Sequence, residues 1–439
     1  MADWRIGFAR QRITPPLGCE MAGFDARMGV ANAVHDDLHA HALIFDDGGT
    51  QAALISIDVI AVSAEFSLAV RRDIESSTGI PAGNVFLAAT HTHCGPVTIN
   101  GFFNQGQFLD PAYLLSLHEH VVSAVVRASE SRKPRVLKTG MAPVEGIAVN
   151  RRTPDGLPVD PYAGVLAIEE TDGTIAAIAV IYACHTTVLG PNTLSLTQDF
   201  PFYTLAKLKS ELGDDVETLY FNGAQGDLSI GHKSNLSAVG IIDPFRTFAT
   251  AQRLGERLAD AVLAGLPTLT PEASRVQVLS KNVALPLKQY EPLAVMTAAR
   301  EKAGRAIVAD RMDAEMLAIR QQSLYARIEE YHARLYEESE APEPKTLTVE
   351  FAAVLLGETA FITLPGEIFI RVALAIRAAS PFAKTLFLGL TNNYIGYLPD
   401  HEATRDSGYE VVASRVPAIA GDILQSEAAS MLHALKEAL

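Results

Sequence analysis

The chain has 439 residues, 48% of them hydrophobic, and a formal net charge of −15. It is long enough to bury a substantial core, and its charge argues against nonspecific binding to nucleic acid or an anionic membrane, which both need clustered Lys and Arg. The longest clean apolar run, residues 175–184, is too short to span a bilayer. The first residues, 1–16, lack the apolar stretch of a secretory leader. Three cysteines without paired spacing, Cys19, Cys94 and Cys184, point to a reduced compartment, so the expectation is a cytoplasmic protein without stable membrane insertion.

In chain order, residues 40–45 and 52–59 read as strands joined by Asp46-Asp47-Gly48-Gly49, a hairpin signal. Residues 63–76 read as a helix, 85–90 as a buried strand and 111–129 as a helix. A second hairpin joins 164–170 to 175–184 through Thr171-Asp172-Gly173, and a strand at 218–221 ends in Asn222-Gly223. After a helix at 248–263 comes a helical excursion at about 290–340, rich in Arg and Glu and read as a solvated face, ending at the breaker 341–344. Strands return at 346–356, 360–364 and 386–390, and a helix closes the chain at 418–439. Because several connections are hairpins, the predicted class is α/β with mixed and antiparallel sheets in the core, flanked by helices, as a single domain over 1–439.

Chemistry-bearing residues gather where these strands end. His91-Thr92-His93-Cys94-Gly95-Pro96 follows the 85–90 strand, placing two imidazoles i, i+2 at its mouth, where α/β folds build sites. His185 follows the 175–184 run, Glu367 follows the strand through Leu364-Pro365-Gly366, and Tyr394 and Tyr397 follow 388–390. Phe221-Asn222-Gly223-Ala224-Gln225-Gly226-Asp227-Leu228-Ser229 is a glycine-rich loop that is neither a nucleophile elbow nor a phosphate loop. Each segment alone has an ordinary structural explanation. Together, His, His, Glu and Tyr suit a zinc ion with a position left for water.

The collection resembles the neutral ceramidase family, in its zinc-dependent amidase catalytic domain. The resemblance rests on Ala89-Thr90-His91-Thr92-His93-Cys94-Gly95-Pro96, Asn150-Arg151, Cys184-His185-Thr186, Gly226-Asp227-Leu228-Ser229, Pro365-Gly366-Glu367, and Thr391-Asn392-Asn393-Tyr394 through Tyr397. The opening Ile6-Gly7-Phe8-Ala9 and Ile13-Thr14-Pro15-Pro16 is also similar, so the likeness runs from near residue 5 to about 410. It implies His91, His185, Glu367 and Tyr397 as Zn2+ ligands, His93 as a contact to the scissile amide, and Arg151, Ser229 and Tyr409 as further active-site residues.

Departures are visible. Cys94 stands where the family has Ser, Ile230-Gly231 replace the usual Pro-Asn after the Gly-Asp-x-Ser motif, and a basic residue of the early strand is replaced within His39-Ala40-His41. The chain also stops where ceramidases continue into an immunoglobulin-like domain. The resulting expectation is zinc-dependent hydrolysis of a carboxamide in a small N-acyl or cyclic amide rather than ceramide, with His93 protonating the leaving amine and Ser229 orienting the substrate. Three alternatives stay open: a barrel amidohydrolase using His91, His93, His185 and His232; a metal-free serine esterase using Ser229 with His232 or His93; and a metal-stabilised binding domain. Ceramide hydrolysis proper is a further variant of the main reading. The long charged helix offers a surface for a homo-oligomer.

Overall fold

Three sheets, each an antiparallel meander closed by one parallel edge strand, account for most of the β-structure in the computed structural model, which describes residues 4–101, 108–308, 311–340 and 343–439. Residues 1–3 of the N-terminal segment and residues 341–342 of the expected breaker lie outside the described residues. The first sheet runs Val85–Ala89, Gln51–Ile57, His39–Asp46, Arg5–Arg12, with the short Lys133–Pro134 beyond. The second runs Glu217–Asn222, Ile175–Tyr182, Tyr162–Glu169, Val136–Pro143, with Thr270–Pro271 at its edge. The third runs Val276–Pro286, Thr346–Leu356, Thr359–Thr363, Lys384–Leu388.

In each sheet the parallel pair is reached through a helical crossover: Ala64–Thr78 in the first, Phe200–Leu212 in the second, Ile370–Ala379 in the third. Parallel strands need such a connection because their hydrogen-bond pattern cannot be closed by a tight turn. These three edges pack against one another. Leu54 and Phe86 of the first sheet, Ile181 and Phe221 of the second, and Phe361 and Leu388 of the third share one buried apolar cluster. All five residues of Val85–Ala89 are buried, as expected of an edge strand covered by other sheets rather than by water. Polar groups tie the edges at their ends: Ser56 Oγ donates to Tyr220 O at 2.5 Å, and the Asn392 side chain accepts from Leu87 N at 2.8 Å. The carboxyl ends of three parallel pairs therefore open onto one region, which is where the chemistry-bearing loops emerge.

Mixed sheets with flanking helices are what the sequence predicts, and both expected hairpins are present: His39–Asp46 with Gln51–Ile57, and Tyr162–Glu169 with Ile175–Tyr182. Among the described residues, three strands of eight or more residues lie outside the sequence reading, Arg5–Arg12, Val136–Pro143 and Val276–Pro286. Each carries charged or polar residues on a partly solvated face near a sheet edge, which hides the apolar alternation.

The helical excursion, read as a solvated face, is helical and also packs against the sheets. It is an antiparallel pair, Leu293–Arg305 and Ala314–Glu338, held by Leu293 N donating to Glu337 and Thr297 Oγ1 donating to Glu330. Leu324 and Ile328 of the longer helix are buried in the same cluster as Val59, Phe369 and Tyr397. Its inner face therefore packs onto the functional end of the sheets, while Glu315, Arg334, Glu337 and Glu338 are exposed and Glu330 is buried against the shorter helix. No helix among the described residues is long and apolar enough to cross a membrane.

Candidate active site

His91 follows the first sheet's parallel edge strand with a left-handed backbone, φ 65°, a conformation that costs a non-glycine residue about 1–2 kcal/mol. Local bonds hold it there: its N–H donates to Val59 O at 3.0 Å and its Nδ1 to Ile60 O at 2.7 Å. His185 follows the second sheet's strand in the same manner, with Nδ1 between Gln225 O at 2.8 Å and Leu228 O at 2.9 Å. Glu367 opens the short strand Glu367–Ile368, which pairs in parallel with Tyr397–Leu398 so that Glu367 and Tyr397 are register partners. Gly226 makes this approach sterically feasible, because a Cβ there would lie 2.4 Å from Glu367 O.

Carbonyl oxygens only accept, so Nδ1 of His91 and of His185 must each carry the proton, and in the neutral rings Nε2 is a lone pair. Both Nε2 atoms turn toward Glu367 Oε2, at 3.5 Å from His91 and 2.8 Å from His185. The ligand atoms of all three lie within 4.8 Å of one another, and all three residues are buried. Burial, reinforced by the Arg151 charge, pushes His185 down to about 4, so it is neutral at pH 7. Burial alone would raise Glu367, but its imidazole neighbours hold it ionised. Two ring nitrogens and a carboxylate oxygen thus face one point, a donor set that fits a divalent cation of the zinc type.

The phenol of Tyr394 donates to the other Glu367 oxygen at 2.6 Å, fixing the carboxylate from behind. Tyr397 accepts from Arg151 Nη2 at 3.2 Å. Burial, with Glu367 next, holds the Tyr397 hydroxyl well above the usual phenol range, so only a bound cation would make it an anionic ligand. Arg151 Nη2 also donates to Gly226 O at 3.0 Å and approaches His185 Nε2 at 3.4 Å. Burial pulls the Arg151 guanidinium down, but the Glu410 carboxylate outweighs it and keeps the group charged.

His93 places Nε2 3.2 Å from His91 Nε2, and its ring packs on Phe24 with centroids 4.8 Å apart. Room for that ring depends on Gly23, whose φ is +98° and where a Cβ would stand 2.4 Å from His93 Nδ1. Tyr409 joins the group through Tyr397, their rings 6.0 Å apart. Ser229 is placed differently. Its Oγ donates to the His232 carbonyl and accepts from Gly231 N, both at 3.3 Å, and it is not among the residues lining the cavity.

That cavity holds only about 50 Å³. His93, His185, Arg151, Tyr397 and Tyr409 form one side; Thr187, His232 and Leu324 of the long helix help form the rest. Among the described residues, Nδ1 of His93, Nδ1 of His232 and Oγ1 of Thr187 are buried without a hydrogen-bond partner. A wider groove of about 580 Å³ lies beyond Asp25, Ala238 and Leu324, lined by Arg300, Arg305 and Arg320, and no predicted ligand borders it. The convergent polar groups, not the larger volume, therefore identify the site.

Several contributors went unread in the sequence. Glu410 is buried and accepts from Arg151 Nε and Arg152 Nη1 at 2.7 Å each and from Ser234 Oγ at 2.5 Å. Its only sequence signal is adjacency to Tyr409. Asn235 accepts from Tyr409 N at 2.9 Å and from the Tyr325 hydroxyl at 3.0 Å. Cys94 and Cys184 stay outside the ligand group: burial pushes the Cys94 thiol up to about 12 and Cys184 higher still, so both remain protonated.

Residues 4–199 match the family model described as neutral/alkaline non-lysosomal ceramidase, N-terminal. The resemblance read in the sequence is borne out. The fold is also that of neutral ceramidase from Pseudomonas aeruginosa, with a TM-score of 0.77 and 17% identity, covering 100% of this chain and 75% of that one. A ceramidase complexed with C2 superposes with a TM-score of 0.74 and 16% identity, covering 100% of this chain and 76% of that one. The family match supports a ceramidase-type hydrolase of non-peptide amide bonds, and the separate mixed sheets are not the eight-unit barrel of an amidohydrolase.

Proposed function

We propose that this chain hydrolyses the carboxamide C–N bond of a small N-acyl or cyclic amide at a zinc-type centre held by His91, His185 and Glu367, with Tyr397 as the fourth ligand. One observation carries the reading: three buried acceptors turned toward one point, with both Nδ1 protons committed to backbone carbonyls. When bound, the ion supplies Lewis acidity toward the scissile carbonyl and brings the pKa of water toward about 7.

The chain's own residues do the rest. Arg151, kept charged by Glu410, directs Nη2 into the cavity beside Tyr397 and offers a donor for the developing oxyanion, a contribution of about 3–4 kcal/mol for a well-placed bond. His93 is neutral through burial and its imidazole neighbours, so its free ring nitrogen can take up the proton that the attacking water loses, and the ring then passes a proton to the departing nitrogen. Tyr409 closes the cavity against Tyr397 and holds substrate there. Ser229 is a positioning residue, fixing the turn after Leu228, whose carbonyl receives both the N–H and the Nδ1–H of His185. The small cavity and its unpartnered Thr187 and His232 support a compact polar substrate over a long-chain lipid.

The test combines metal analysis with a panel of short N-acyl amines, N-acyl amino acids, lactams and long-chain ceramide. Turnover of one short class, abolished by a chelator and restored by Zn2+, is expected. Activity that survives complete metal removal would sink the metal centre. Rapid cleavage of ceramide with every short amide inert would sink the small-substrate assignment.

A further inference from the structure

A second group of metal-competent side chains stands apart from the site just described. His39 and His41 lie i, i+2 on the strand His39–Asp46 and so share one face of the first sheet. Asp58 follows the neighbouring strand Gln51–Ile57 and is locked to His39 by two backbone-linked bonds: His39 N to Asp58 Oδ2 at 2.9 Å, and Asp58 N to His39 O at 3.0 Å. One ligand atom from each of the three lies within 4.8 Å of the others.

We infer that His39, His41 and Asp58 form a second divalent-cation site of zinc type, separate from the His91–His185–Glu367 centre. Its arrangement is that of a supported metal ligand. Glu217, at the start of the second sheet's edge strand, faces His41 Nδ1 at 2.8 Å. A carboxylate accepting from Nδ1 fixes the tautomer that turns the Nε2 lone pair toward an ion, the carboxylate–histidine pairing found behind metal-bound imidazoles.

Asp58 supplies the second argument. It is buried, and among the described residues no Lys or Arg forms an ion pair with it, while His41 is engaged with Glu217. A buried carboxylate without a cation beside two imidazoles is the setting that a divalent ion completes. Bonds of about 2.0–2.2 Å keep two ligands of one ion within about 4.4 Å of each other, so a small rotation of His39, the least buried of the three, closes the set. The site is distinct in its donors but adjacent in the chain, because Val59 O and Ile60 O, just after Asp58, hold His91.

Metal content after gel filtration of Zn2+-loaded full-length protein tests this. The wild type should retain two equivalents, His41→Gln and His39→Gln one each, and His91→Gln the other one. His39→Gln, at a partly exposed position, covers the case in which His41→Gln fails to fold. One equivalent lost in His91→Gln but unchanged in both strand variants overturns the inference and leaves the catalytic centre standing. One equivalent that survives in His91→Gln and is lost in the strand variants upholds it while overturning the catalytic centre. No retained metal overturns both.

Discussion

Glu410→Gln probes the arrangement that aims Arg151. In the wild type a single buried carboxylate serves two buried guanidiniums, Arg151 and Arg152, and accepts a third bond from Ser234. The amide retains one acceptor oxygen of similar size but no charge. Charge-assisted bonds contribute about 1.5–3 kcal/mol each against about 0.5–1.5 for neutral ones, so weakening two of them costs roughly 2–3 kcal/mol. Leaving two guanidiniums buried without a counter-ion brings the expected loss to about 3–5 kcal/mol. Urea unfolding at pH 7 reads this directly, and kcat/KM should fall about 100-fold as Arg151 shifts by the order of 1 Å.

The pH dependence has a definite sign. Burial would raise the Glu410 carboxyl, but Arg151 and Arg152 hold it below the usual range. Its stabilisation is therefore fully present above the unfolded value of about 4.3 and is lost as pH falls through the lower folded value. The wild-type and Glu410→Gln stability curves should converge in acid. A loss under about 1 kcal/mol at pH 7 with unchanged kcat/KM would refute the argument that this carboxylate anchors the site.

His93→Gln should lower kcat by about 10²–10⁴-fold while metal content stays at the wild-type level, the signature of a proton donor rather than a ligand; parallel loss of metal would make it a ligand. Gly23→Ala forces a Cβ against the His93 ring at positive φ, so kcat should fall about 100-fold and stability by about 1–2 kcal/mol, read by steady-state kinetics and thermal unfolding. Ser229→Ala should retain activity within about tenfold, because its hydroxyl is engaged in its own turn; a loss beyond about 10³-fold would restore the nucleophile reading. Leu324→Ala removes part of the cavity wall supplied by the helical pair. It should improve kcat/KM for acyl groups one or two carbons longer by about tenfold or more relative to the shortest, at a stability cost of about 2–3 kcal/mol.

Residue types and strand-end positions made much of the site legible in the sequence. His91, His185, Glu367 and Tyr397 each stand just past an apolar run, and the structure brings those four runs to one place. The hairpins were legible because their turns carry Asp and Gly and their flanks alternate or run apolar. Less was visible where a residue's task depends on a distant partner. Nothing in Tyr409-Glu410 announces that the carboxylate holds two arginines some 260 positions earlier in the chain.

What the sequence by itself determined is the chemistry on offer: imidazoles, carboxylates and phenols at the mouths of buried strands, set there by local patterning that needs no long-range information. The tertiary structure alone decided which of them meet. It turned Ser229 into its own turn, folded the charged excursion into a helical pair that walls the cavity, and left His39, His41 and Asp58 beside Glu217. The physical reason is that side-chain direction and burial depend on how three sheet edges pack together, and that packing couples residues hundreds of positions apart.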